Sequence, residues 1–248
     1  MVINASQKSI LKRWEDRTAR RPFCIQCRHP RLTCYCHSLK PYSPPITFVI
    51  LIQREESRRS IATGRMSHLI LSNSYLFEGL DFSSHGPVQE ILRDPQNACV
   101  LLFPGPGSVD ISKATTEEKT AVFKKGKRPV VFVLDGTWTR AKRMRTLNHT
   151  LNFLPMIRFS PTTPSQFKIR KQPKAECYST VEAIHEVIHL LAPDPQARHH
   201  HLLEVFNAMV AQQMNLESLY REKRKLSQQG DLGSSAIAPQ RIMTQRDT

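Results

Sequence analysis

Four cysteines fall within thirteen residues, as Cys24-x2-Cys27-x6-Cys34-x-Cys36. Thiolates at that spacing can wrap one tetrahedral metal ion, with a tight first knuckle and a short second chelate. Protein would fill all four places, so a zinc ion there would be structural and would leave no open position for a substrate. The closing Cys-x-Cys is tighter than in a standard zinc ribbon, and spacing alone leaves redox cysteines or an iron–sulfur cluster open. Cys99 and Cys177 stand apart and read as ordinary thiols.

A second constellation is Asp135-Gly136-Thr137-Trp138, a carboxylate, a flexible glycine, a hydroxyl and a large aromatic at the end of an apolar run. Its plain alternative is a strand-to-helix junction in which Asp135 or Thr137 caps a helix over Thr139–Arg145. Capping does not account for Trp138. Two basic runs follow, Arg140, Lys142, Arg143 and Arg145, then Lys168, Arg170, Lys171 and Lys174. Either run can be a solvated face. The first run lies beside the expected crevice of a strongly basic chain, which favours phosphate contact there over a solvated face: 36 Lys and Arg stand against 21 Asp and Glu, a net charge of +15. Such an excess favours a polyanionic partner, because each neutralised phosphate releases counterions. His199, His200 and His201 read as exposed and receive no role.

The elements that must position these residues are visible as apolar runs. Ile46–Ile52, Ala98–Phe103 and Pro129–Leu134 are short and lack polar alternation, as expected of strands buried on both faces. Met156–Phe159 is a fourth candidate. Helical patterns lie around Ser60–Leu71 and Glu117–Lys125, so the expected fold is α/β, a mostly parallel sheet with flanking helices. Ser179 stands three residues before Glu182, the spacing of a capping box. Val181, Ile184, Ile188 and Leu191 then form one apolar helical face. A last helix is expected over Leu202–Leu219, with Leu202, Phe206, Met209 and Met214 in the core. In a parallel sheet the carboxyl ends of the strands form the ligand crevice. The loops Gln53–Glu56, Pro104–Ser108 and Asp135–Trp138 should therefore meet at one edge.

The division expected is a basic arm and four-cysteine zinc knuckle over 1–45, a catalytic domain over 46–222, and a disordered tail over 223–248. No run approaches the roughly 20 apolar residues of a membrane helix, and the polar start has no secretory core. Cytoplasmic localisation, no membrane association and a monomeric state are the corresponding expectations.

Taken in order, these pieces resemble the DTW-domain family of aminocarboxypropyltransferases. The resemblance rests on the cysteine cluster, Gln53 with Glu55, Leu102-Phe103-Pro104-Gly105 and Asp135-Gly136-Thr137-Trp138. It extends to Arg170-Lys171-Gln172-Pro173 and Ser179-Thr180-Val181-Glu182-Ala183. It spans roughly residues 24 to 190 and is greatest towards the family's bacterial tRNA-uridine members. One departure is Arg54-Glu55, where many relatives have His-Pro.

The resemblance implies a SPOUT-like fold with a C-terminal trefoil-type knot and S-adenosylmethionine as co-substrate. The absence of a Gly-x-Gly-x-x-Gly loop agrees with that mode of binding. It also implies transfer of the 3-amino-3-carboxypropyl group to N3 of a tRNA uridine, in the variable loop, with methylthioadenosine released. Asp135 would be the base. Leu102, Pro104, Asp135, Thr137, Trp138, Ser179 and Thr180 would line the cofactor pocket, and Arg140, Arg143, Arg170 and Lys171 would contact RNA. A SPOUT-type RNA methyltransferase and a non-catalytic, zinc-containing RNA-binding protein are the competing readings.

Overall fold

Runs of β-branched and large apolar residues build the centre of the molecule. In the computed structural model, which describes residues 23–59, 61–169 and 177–228, six strands form one sheet. They are β1 (Thr47–Ile52), β2 (Ser74–Glu78), β3 (Asn97–Leu102), β4 (Val109–Asp110), β5 (Arg128–Asp135) and β6 (Met156–Arg158). Their order across the sheet is β2-β1-β5-β3-β6-β4, and every neighbouring pair is parallel. The four expected strands are all present. The two further ones are edge strands, β2 only partly buried and β4 just two residues long, which explains their weak apolar signal.

Among the described residues the α-helices are α1 (Arg54–Ser57), α2 (Thr63–Ile70), α3 (Gly86–Arg93), α4 (Thr116–Val122), α5 (Trp138–Leu147), α6 (His149–Asn152), α7 (Thr180–Leu191) and α8 (His201–Gln228). Caps set two of the starts. Thr115 and Glu118 form a capping box before α4, and Ser179 and Glu182 form one before α7. Helix α8 continues through Lys223 to Gln228, beyond the point where the composition turns polar. Its Arg, Glu, Lys and Leu content has high helix propensity, so polarity alone did not mark an end. Met214, expected in the core, is 44% exposed.

Alternation along the strands divides the interior in two. Phe48 and Ile50 of β1, with Val131 and Val133 of β5, join the α2, α7 and α8 side chains Met66, Ile70, Ile184 and Phe206. Val49, Leu51, Val130 and Phe132 face the opposite way, onto Val88, Ala141, Met144 and Leu151. Cys27 and Tyr35 are buried in the first cluster, which seats the cysteine segment against the sheet's helical cover. His199 is 2% exposed, not the surface residue expected; the turn Arg198–His200 tucks it against α7, while His200 remains exposed. The basic arm of residues 1–21, together with Arg170, Lys171 and Lys174, lies outside the described residues. No helix among the described residues is long and apolar enough to cross a membrane.

Candidate active site

Because β1, β5 and β3 are parallel neighbours, their carboxyl ends open side by side. The first and third of the loops anticipated there meet directly, and the second leaves the sheet at Phe103, whose ring contacts Trp138 of the third. The Gln53 amide donates to the Asp135 carbonyl oxygen at 3.2 Å, stitching the first loop to the third.

Asp135, the last residue of β5, is 3% exposed. Its Oδ2 accepts the Gly64 amide at 3.0 Å, and its Oδ1 accepts the Thr180 hydroxyl at 2.6 Å. Gly64 and Thr180 belong to the first turns of α2 and α7. The carboxylate thus sits where two helix N-termini converge, and the partial positive charge of each favours an anion. Asp135 does not cap the helix that follows it. Thr137 holds the N-cap position of α5 and makes no side-chain capping bond. Thr137 thus takes the position that a strand-to-helix junction gives a cap without closing the bond, and Asp135 bonds instead to α2 and α7, which cover the face of the sheet lined by Val131 and Val133.

Trp138 opens α5 and is 41% exposed. Its ring meets Phe103 edge-on, with centroids 6.0 Å apart at 69°. Its Nε1 donates to Cys177 Sγ at 3.3 Å. The Arg145 guanidinium lies 5.0 Å from the same Phe103 ring. An accessible aromatic and cationic surface therefore flanks the edge, as stacking of a flat or cationic group requires. Leu102 and Thr137 are half-buried beside it and Pro104 is exposed.

Ser179 is placed differently from Thr180. Its hydroxyl and amide donate to Glu182 Oε2 at 2.6 and 2.7 Å, so its side chain turns into the protein. Glu182 also accepts the Ser165 hydroxyl at 2.8 Å and the Gln166 amide at 2.7 Å, which ties the preceding loop to α7.

Two buried polar atoms near this edge have no hydrogen-bond partner among the described residues: Gln53 Oε1 and Arg140 Nη1. Leaving such a group unsatisfied costs about 1–3 kcal/mol, so both are suited to a polar ligand entering the crevice. One is an acceptor and the other a cationic donor, complementary to an amino acid's ammonium and carboxylate. Farther along α5, Lys142 and Arg143 are exposed and no acidic side chain pairs with them among the described residues.

The cysteine segment approaches the same edge through Arg28. Its backbone is left-handed, at φ 58°, directly after Cys27. Its guanidinium reaches Glu78 at 3.1 Å and the Ser57 hydroxyl at 3.0 Å, and Arg65 joins the same carboxylate at 2.8 Å. Burial pushes the Glu78 pKa up, but the Ser57 and Arg65 hydrogen bonds and the two guanidinium charges outweigh it and hold the group below its ordinary value. Within the segment, Cys24 and Cys36 sulfurs are 3.6 Å apart, and those of Cys27 and Cys34 are 3.7 Å apart. All four lie within 4.8 Å of one another. The edge of a tetrahedral thiolate site, with metal–sulfur bonds near 2.3 Å, is about 3.8 Å. The donor set therefore fits a four-coordinate metal. The backbone hydrogen bond at Cys27 draws the Cys24 thiol down to about 6, whereas burial pushes the Cys27 thiol up to about 11 and raises Cys36 as well, so the fit to a metal rests on the sulfur spacing.

Gly64 was missed as a site residue; the one local signal is a glycine kept inside a helical pattern in spite of its cost of about 1 kcal/mol relative to alanine. Arg65, Ser57 and Glu78 carry no local signal, because only the pairing of β1 with β2 brings them together.

The family model described as the DTW domain matches residues 21–214. A Drosophila melanogaster protein named tRNA-uridine aminocarboxypropyltransferase 2 is 30% identical over 192 residues, covering 74% of this chain and 72% of its own. Proteins of the same name from Mus musculus and Macaca fascicularis are 26% and 24% identical, across 67% and 72% of this chain. The chain spans 55% and 60% of the length of those two mammalian proteins. No solved structure matches the chain.

Proposed function

Because the chain belongs to the DTW-domain family, we propose that it transfers the 3-amino-3-carboxypropyl group of S-adenosylmethionine to N3 of a tRNA uridine. The observation that carries this reading is the Asp135 carboxylate, fixed by Gly64 and Thr180 at the carboxyl end of β5 beside the Gln53 loop. The names of the animal relatives support the transferred group and the RNA acceptor.

In the reaction N3 attacks Cγ of the methionine moiety. The N3–Cγ bond forms, the Cγ–sulfur bond breaks, and its electron pair leaves on 5′-methylthioadenosine. The sulfonium is already a good leaving group, so the protein's work is orientation and removal of the N3 proton. Asp135 is the base. Its low exposure argues for reach through Thr180, whose hydroxyl gives its proton to Asp135 Oδ1 while its oxygen receives the uridine proton. Arg140 and Gln53 hold the carboxylate and ammonium of the methionine moiety. Leu102, Pro104, Thr137 and Trp138 line the cofactor's path, with Trp138 stacking on adenine or base. Ser179 supports the pocket by fixing the start of α7. Arg143, Arg170 and Lys171 would contact the tRNA phosphates, at the variable loop; Arg140, expected among them, has its buried Nη1 turned to the methionine carboxylate instead.

The same reading includes a SPOUT-like C-terminal knot and a structural zinc ion held by Cys24, Cys27, Cys34 and Cys36. The zinc would order the knuckle and supply no catalysis. It further includes a catalytic domain over 46–222, a cytoplasmic location and a monomeric enzyme.

Mass spectrometry of nucleosides from unmodified tRNA, incubated with the protein and S-adenosylmethionine, tests the reading. Aminocarboxypropyl-uridine with methylthioadenosine released is expected. A methylated nucleoside would replace the transferred group and leave the cofactor in place. No product together with no cofactor binding would favour the non-catalytic RNA-binding alternative.

A further inference from the structure

At the end of α7 remote from Asp135, four imidazoles crowd together. His185 and His189 stand one turn apart on α7, their ring planes 6° apart. The turn Arg198–His200 brings in His199 and His200, whose centroids are 4.2 Å apart. His185 Nε2 lies 2.9 Å from His200 Nδ1, and His189 Nδ1 lies 3.3 Å from His199 Nε2. One nitrogen from each of His185, His199 and His200 lies within 4.8 Å of the others. His199 is 2% exposed, and its Nδ1 has no hydrogen-bond partner among the described residues.

Packing alone gives a poor account of this cluster. Protonated rings at these distances would repel, and neutral rings would leave a buried nitrogen unsatisfied. A divalent ion resolves both difficulties, since it takes lone pairs from neutral imidazoles. With metal–nitrogen bonds of 2.0–2.1 Å the nitrogen–nitrogen edge of a tetrahedral site is about 3.4 Å, a span that the 2.9 Å between His185 and His200 and the 4.8 Å limit across all three rings bracket.

We infer that His185, His199 and His200 form a second metal site, separate from the cysteine cluster, for a borderline divalent transition ion such as Zn2+, with His189 beside it. An all-imidazole donor set suits zinc, nickel or copper and disfavours calcium or magnesium. The ion clasps the last turns of α7 to the start of α8. Helix α8 in turn holds the cysteine segment: Gln212 Nε2 donates to the Leu32 carbonyl at 3.2 Å, and the Lys40 amide donates to His201 Nε2 at 3.1 Å. The site therefore braces the helix whose first residue, Thr180, binds Asp135.

The test is titration of the full-length apo chain with Co2+, read by absorption. Wild type should take two equivalents, one with thiolate-to-metal charge-transfer absorption and one showing only weak visible bands. His200→Ala changes an exposed side chain and should lose the second equivalent while keeping the charge-transfer band. Cys24→Ser should do the reverse. Saturation of wild type at one equivalent, all of it carrying thiolate absorption, would overturn the inference, as would two equivalents in a folded His200→Ala chain. If His200→Ala fails to fold by circular dichroism, the wild-type stoichiometry decides. Failure of the cysteine site alone is recognised separately, as one equivalent without the charge-transfer band.

Discussion

Gly64 and Asp135 are in contact in a way that excludes any side chain at position 64. A Cβ there would lie 2.2 Å from Asp135 Oδ2 and 2.9 Å from its Cγ, with Ile50 Cγ2 at 3.0 Å on the other side. The glycine lets α2 bring its first-turn amides against the end of β5, and the amide bond to Oδ2 follows. Gly64→Ala must displace either the helix or the carboxylate. Overpacking of this kind costs about 1–3 kcal/mol, read as a lower denaturant midpoint. Product formation should fall further than that stability loss explains, because the carboxylate moves. A variant with wild-type midpoint and turnover would show that the contact is dispensable.

Asp135→Asn keeps the shape of the side chain and removes its basicity. Transfer should slow by about 10²–10⁴-fold, the usual contribution of a positioned proton acceptor. Calorimetric binding of S-adenosylmethionine should stay within several-fold of wild type. Thr180→Val breaks the contact to Oδ1 and should slow transfer similarly if the proton travels through that hydroxyl. Unchanged turnover in Thr180→Val with a slow Asp135→Asn would leave Asp135 as base and remove the relay.

The exposed cations of α5 should act on tRNA and not on the cofactor. Arg143→Ala is expected to weaken tRNA binding and to lower the slope of log affinity against log salt by about 1. Affinity and slope equal to wild type would place Arg143 among ordinary surface charges.

Glu78 ties the cysteine segment to the sheet through Arg28 and Arg65. Its folded pKa lies below the ordinary 4.5, so its stabilising contribution is present above that pH and is lost as pH falls through the lowered value. Acid unfolding of wild type should therefore steepen below about pH 4.5 relative to Glu78→Gln. Parallel acid titrations of the two chains would assign the effect elsewhere.

Chelation of the cysteine site, or Cys27→Ser, should loosen more than the knuckle. Cys27 is 1% exposed and packs with the core that includes α2, α7 and α8. A drop in Tm after chelation, reversed by Zn2+, is expected. A Tm indifferent to metal would mean that packing alone holds the segment.

Much of this molecule follows from local pattern. The apolar runs of β1, β3, β5 and β6 are legible because strands covered on both faces need no polar positions. The start of α7 is legible because Ser179 and Glu182 complete their capping box within four residues. The cysteine cluster is legible because its donors are adjacent in the chain. The edge strand β2 and the full length of α8 were not, since half-burial and mixed polarity give no distinctive period. What the tertiary structure alone decided is the use made of Asp135. Local sequence offers it as a cap for α5, whereas its partners Gly64 and Thr180 lie 71 residues before and 45 residues after it. The same holds for His199, buried against α7 although its neighbours in sequence are polar. Local spacing reports bonds that close within a few residues. Parallel pairing and helix convergence join residues far apart in the chain, and no short-range pattern records them.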